Sequence, residues 1–181
     1  MGEAVETYKE LLSRNARVPN LHLSFAALLS QLRNRPEAQT QLREELKVKP
    51  RSVEARLKLC SILEDDSPDE ATGLAREAVA LDPKSFKAHF SLGRLLQKTD
   101  KLAESAKELE ISRDLAPSSS MVRFALIKTY VALGQTAAAD RETEMFKRLR
   151  AAEDQFKKSG QVPASYFEPD PPGAEPASKT H

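Results

Sequence analysis

At 181 residues, 40% of them hydrophobic and 30% charged, the chain can build one repeat array or one or two compact domains in water. A formal net charge of +1 gives no basic surplus for nucleic acid or an anionic membrane as a main partner. The lone cysteine, Cys60, excludes an intrachain disulfide and a thiolate metal site, and no apolar run approaches the roughly 18 residues of a membrane span.

Met1 leads into Glu3, Glu6 and Glu10 instead of a basic and then apolar signal segment, and Glu6 stands where a myristoylation motif needs Ser or Thr. A cytoplasmic location is the default expectation. The first helix is predicted over 3–14, followed by a pair at 19–32 and 36–48 that ends before Pro50. Proline lacks the amide proton that a helix interior needs and pushes its predecessor out of the helical region. Pairs at 52–64 with 68–81 and at 85–98 with 102–115 end in the same way before Pro83 and Pro117. In AREAVALDPKSFKAH, from Ala75 to His89, helix formers stop at Leu81-Asp82-Pro83 and restart after Ser85, which can cap the next helix. Ser67-Pro68-Asp69-Glu70 reads as a capping box with proline in the first turn. The last pair is predicted at 119–132 and 136–158, the second helix ending in a charged stretch around Phe146, Leu149 and Phe156 that reads as a solvated cap. Beyond Gly160 the chain is rich in proline and small polar residues with no helical period, and disorder is expected. Within it, Tyr166 and Phe167 form an aromatic pair able to dock intramolecularly.

Pro83 follows Pro50 by 33 residues and Pro117 follows Pro83 by 34, a period that marks helical repeat arrays. Twelve residues before each proline stand Ala38, Ala71 and Ser105, a small-residue column continued by Ala139. The preceding helices carry Phe25-Ala26, Leu59-Cys60, Leu92-Gly93 and Leu126-Ile127, followed by Leu29, Leu63, Leu96 and Tyr130. Antiparallel helices approach closely only where one presents a small side chain and large aliphatics fill the space on either side. These columns make the chain similar to the tetratricopeptide repeat family over about residues 3–158. There are departures. The position where the family often has an aromatic is held by His22, Arg56, His89 and Arg123, the turn glycine survives only as Gly134, Ile127 fills the last small position, and the second unit is one residue short.

The resemblance implies an all-α fold, a right-handed superhelical array of antiparallel helix pairs. Residues 1–16 would be the second helix of an incomplete leading repeat, 17–158 four repeats with an extended C-terminal capping helix, and 159–181 a disordered Pro-rich tail. Ala4 occupies the small column and Ala16 the place of the proline. The leading helix is then either a native cap or the start of a C-terminal piece of a longer protein. Val5, Tyr8, Leu11 and Leu12 offer more apolar surface than one neighbour would cover, which favours the second reading and provides a surface for self-association.

No catalytic signature stands out. His22 and His89 lie two repeats apart, too far to share a metal ion, and no Gly-rich phosphate loop or His-Glu-x-x-His pattern is present. Asp65-Asp66 and Asp69-Glu70 suit a helix start, and Cys60 suits a buried small hydrophobe at a tight helix crossing. Neither an enzyme nor a cofactor-binding protein is expected.

In the family, the first helix of each pair lines a concave groove that takes peptides or helices. Transferred here, an apolar column runs through Leu23, Leu57, Phe90 and Phe124, flanked by Lys58, Lys87, Arg94, Lys98 and Lys128 against the single acid Glu54. This fits a protein or peptide ligand with spaced apolar anchors and negative charge. The column is equally what packing alone would require, and helix lysines also serve as solvation. The lysine and asparagine clamp by which chaperone adaptors of the family grip a terminal carboxylate is absent, since Leu23 and Ala27, or Leu57 and Ser61, stand there. The expectation is a non-catalytic interaction scaffold. The alternatives are a recruiting or regulatory fragment of a larger enzyme and a self-associating structural module.

Overall fold

The computed structural model describes residues 2–160. The disordered tail expected over the remaining residues, with Tyr166 and Phe167, lies outside them. Among the described residues there are nine helices and no strand: α1 (Gly2–Arg14), α2 (Leu21–Gln31), α3 (Arg35–Val48), α4 (Val53–Leu63), α5 (Pro68–Leu81), α6 (Phe86–Lys98), α7 (Leu102–Leu115), α8 (Ser120–Ala132) and α9 (Thr136–Ser159). The pairs α2–α3, α4–α5, α6–α7 and α8–α9 stack in chain order, and α1 leads them. The repeat array expected from the proline period is the fold.

Local chemistry sets the helix ends. α3, α5 and α7 stop two residues before Pro50, Pro83 and Pro117. Ser52, Ser85 and Ser119 then accept from the amides of Ala55, Ala88 and Val122 at 3.2, 3.3 and 3.4 Å, satisfying donors that a helix start leaves unpaired. α2 is the exception. Asn20, with φ of 67°, caps nothing with its side chain. Instead the fully buried Glu45 of α3 accepts from the amides of Asn20 at 2.9 Å and Leu23 at 3.3 Å, placing a carboxylate at the positive end of the helix dipole. The capping box expected at Ser67 does not form, because its side chain makes no cap bond. Ser67 is drawn into a shortened turn, its amide donating to the Leu63 carbonyl at 2.8 Å, and Glu70 pairs with Arg43. A cap of that kind forms at Asn34, which accepts from the Glu37 amide while its own amide group donates to the Glu37 carboxylate.

The turns within the pairs show what the missing residue of the second unit did. After α2, α6 and α8 the chain passes through a left-handed residue, Arg33 (φ 58°), Asp100 (φ 59°) and Gly134 (φ 71°). There the amides of Asn34, Lys101 and Gln135 reach back five residues to Leu29, Leu96 and Tyr130. After α4 no residue is left-handed, so the deletion removed that turn and kept the pair. Only one of the three sites has the glycine that tolerates the conformation without cost.

The small column lets the helices close. Ala38, Ala71, Ser105 and Ala139 are all buried, and the Ser105 hydroxyl donates to the Gly93 carbonyl at 2.8 Å. A Cβ on Gly93 would sit 2.6 Å from Cγ of Leu109, a core residue, so the close approach of α6 to α7 depends on its absence. Leu29, Leu59, Leu92 and Leu126 fill the space beside the crossings, each burial stabilising by about 1.5–3 kcal/mol. Cys60 is buried as expected and its thiol donates to the Ala71 carbonyl; burial pushes its pKa up to about 12, so it packs as a thiol and not as a reactive thiolate.

The four basic residues in the column that the family often fills with an aromatic make one repeated contact. His22 bonds Ala16 O and Gln41; Arg56 bonds Ser52 O and Glu77; His89 bonds Pro83 O and Glu108; Arg123 bonds Pro117 O and Glu142. Each ties the incoming loop to the second helix of its own pair. Arg123 is 2% exposed and lies 2.9 Å from Glu142, which also receives Arg113. On the second helices a ladder of ion pairs links successive units, Arg43 to Glu70 and Arg76 to Glu104 at 2.7 Å and Arg113 to Glu142 at 2.9 Å.

Two outcomes are expected. Glu142→Ala removes the buried carboxylate that Arg123 and Arg113 share, Arg113 keeping Asp114, and should cost about 3 kcal/mol in urea melts; Arg123→Met in the same background should recover part of that loss. Asp100→Gly should stabilise by about 0.5–1 kcal/mol by relieving the left-handed backbone, whereas Asp66→Gly, in the turn that lacks one, should not.

Candidate functional site

The first helices of the pairs pack on one another from unit to unit, α4 against α6 and α6 against α8, whereas the second helices meet mainly through the long ion pairs of the ladder. A curved stack is tighter on its inside. The first helices therefore form the concave side, and the positions of the apolar column can be read along it.

Burial falls along that column from one end to the other. Leu23 is 8% exposed and belongs to the core onto which Val5, Tyr8 and Leu12 pack, so little of its side chain is open on the surface. Leu57 and Phe90 are half-buried, and the Arg94 guanidinium lies 5.9 Å from the centre of the Phe90 ring. Phe124 is 52% exposed, with its ring 5.7 Å from that of Phe146. Met121, one turn earlier on α8, is 55% exposed. The gradient has a geometric cause. α1 packs on the core that holds Leu23, α6 packs on α4 and α8 on α6, and among the described residues no first helix follows α8.

The charges sort in the same direction. Lys58 faces Glu54 at 3.8 Å, Arg94 pairs with Glu64 at 2.6 Å, and Lys98 bonds Asp65, whose carboxyl the ammonium holds below its usual range. Lys87 and Lys128 are exposed and have no carboxylate partner among the described residues. The groove thus carries fewer uncompensated cations than its own sequence suggests. Glu64 and Asp65 close off α4 and stand 30 and 33 residues before their partners, so counting charges on one helix at a time misses them; their spacing of about one repeat is the signal.

Phe146 is the other residue missed. Its column holds Glu45, Ala78 and Ser112 in the earlier units, all buried between helices. A phenylalanine is too large for that space, and it emerges to meet Phe124. The remaining candidates for chemistry stay apart. His22 and His89 serve their own units, Asp65 and Asp66 pair with Lys98 and Arg35, and no group of three or more His, Cys, Asp or Glu able to hold a metal ion occurs among the described residues. No helix is long and apolar enough to cross a membrane among those residues.

No family model matches the chain, and no curated protein matches it. Solved structures do. A crystal structure of MamA is 18% identical with a TM-score of 0.72, over 86% of this chain and 90% of that one. A MamA RS-1 double mutant reaches a TM-score of 0.78 at 19% identity, over 85% of this chain and 87% of that one. MamA from Desulfovibrio magneticus RS-1, residue 41 to the end, gives 0.71 at 19% identity, over 85% and 86%. At such identity the likeness is one of fold, and the fold it shows is a tetratricopeptide-like helical solenoid.

Proposed function

We propose that the chain is a non-catalytic interaction scaffold whose concave face takes a peptide or helix carrying spaced apolar anchors and acidic residues. The observation that carries this reading is the coincidence, at the α6–α8 end, of the exposed Phe124, the half-buried Phe90 at the matching position of the preceding first helix, and Lys87 and Lys128, which have no carboxylate partner among the described residues. Aromatic side chains on a rigid helical face supply anchoring area, and unpaired lysines steer an acidic partner. Lys58, Arg94 and Lys98, already engaged by Glu54, Glu64 and Asp65, contribute less, and Leu57 serves mainly packing.

Selection of peptides from a random library on the immobilised full chain should recover sequences that combine aromatic or large aliphatic residues with acids. Phe90→Ala and Phe124→Ala should each weaken the selected peptides by more than about 1 kcal/mol, mainly through faster dissociation. Lys87→Glu with Lys128→Glu should slow association and flatten its salt dependence. Selected peptides whose binding ignores all four substitutions would sink the reading.

A second reading, self-association through the leading helix, is favoured by one observation. Tyr8 stacks on Phe25 at 5.1 Å and Val5 and Leu12 pack on the core, but Leu11 remains 44% exposed beside an open cleft of about 490 Å³ lined by Ala4, Thr7, Tyr8, Leu11, Leu21 and Ser24. Leu11, and not Tyr8 or Leu12, is the residue such a contact would use. Leu11→Lys should abolish any concentration-dependent rise in mass while leaving the melting temperature unchanged; a mass that rises equally in both chains would exclude α1 as the contact.

A further inference from the structure

The exposed end of the groove lies where the chain leaves the array. α9 runs antiparallel to α8, with Phe146 against Phe124 and the Ser120 hydroxyl donating to Glu153 at 2.7 Å. The last turns of α9 therefore project past the start of α8. Gly160, at φ of 69°, ends the helix with its amide on the Phe156 carbonyl, and a left-handed residue there redirects the backbone. From Phe146 to Gly160 the helix advances about 21 Å, and the extended chain from Gly160 to Tyr166 spans about the same distance. Tyr166 and Phe167 can thus return to Phe124.

The order of residues also matches. Running back along α8 from the point of exit, the groove presents Met121, then Phe124, then Lys128 one turn further. The departing chain presents Tyr166-Phe167, then Glu168, then Asp170. Apolar meets apolar before acid meets base, in the same direction. Charge agrees too, because residues 161–181 hold Glu168, Asp170 and Glu175 against the single Lys179, and Lys87 and Lys128 are the groove cations without a carboxylate among the described residues.

We infer that residues 161–181 are the resident ligand of this groove, Tyr166 and Phe167 seating on Phe124 and its apolar neighbours and the acidic residues facing Lys128 and Lys87. The segment then regulates the site by occupying it. This rests on the proposed function, since it needs the same face to bind peptides. A ligand tethered by so few residues acts at an effective concentration of about millimolar, so an outside ligand must displace it.

The test uses the full chain and a synthetic peptide of residues 161–181. The peptide should bind the Tyr166→Ala/Phe167→Ala chain at least ten-fold more tightly than the unsubstituted chain, and adding Phe124→Ala to the variant should remove that binding. In amide spectra of the full chain, the double substitution alone should shift α6 and α8 around Phe90, Phe124 and Lys128. Equal affinity for both chains would overturn internal occupancy while leaving the groove a peptide site. Binding to neither chain would overturn the tail as ligand, and the library selection would then decide the groove separately. A ten-fold ratio that shrinks on dilution of the protein would assign the tail to a neighbouring copy and overturn the intramolecular form.

Discussion

One polar contact, made four times, fixes how each unit is assembled. In every pair a basic side chain on the first helix, His22, Arg56, His89 or Arg123, reaches a carbonyl of the segment that leads into that helix and a polar group on the second helix. An aromatic ring in that place would fill volume and do nothing more. A polar side chain sets direction as well, because it must meet groups from two separate segments, and at the buried His22, His89 and Arg123 an unmet polar atom is costly. The second helix is thereby held at one rotation relative to the first, and so is the face the first helix turns to the concave side.

This arrangement explains why the groove is uneven. The contact fixes each pair separately, but exposure of the apolar column depends on the neighbouring helices, from Leu23 in the core that α1 packs on to Phe124 on α8, which no first helix follows among the described residues. The charged residues reinforce the trend, since Glu64 and Asp65 at the end of one first helix neutralise Arg94 and Lys98 of the next. Exposed apolar surface is concentrated at the α8 end, because among the described residues no first helix follows α8.

The architecture was legible because its determinants are local. Pro50, Pro83 and Pro117 with Ser52, Ser85 and Ser119 mark helix ends by what proline lacks and serine supplies, and small residues at Ala38, Ala71 and Ser105 mark the crossings. The features that escaped depend on partners from other units or on backbone conformation. Glu45 caps α2 from a different helix, Arg33 and Asp100 adopt a left-handed turn without glycine, and Ser67 loses its capping role to a turn one residue shorter. The groove was the least legible part, because whether Leu23, Leu57, Phe90 and Phe124 are surface or core is decided by what covers them and not by their spacing.

The ladder of ion pairs on the second helices has a mechanical consequence. Its Arg43–Glu70 and Arg76–Glu104 pairs join side chains that are about half exposed, so each is a soft link that salt weakens and that contributes only about 0.2–1 kcal/mol. The first helices, by contrast, are joined by direct packing that resists compression. A stack with a stiff inner edge and a compliant outer edge behaves as a spring hinged along its concave side. Added salt should therefore loosen the outer edge first, since the inner edge keeps packing beneath its own Arg94–Glu64 and Lys98–Asp65 pairs.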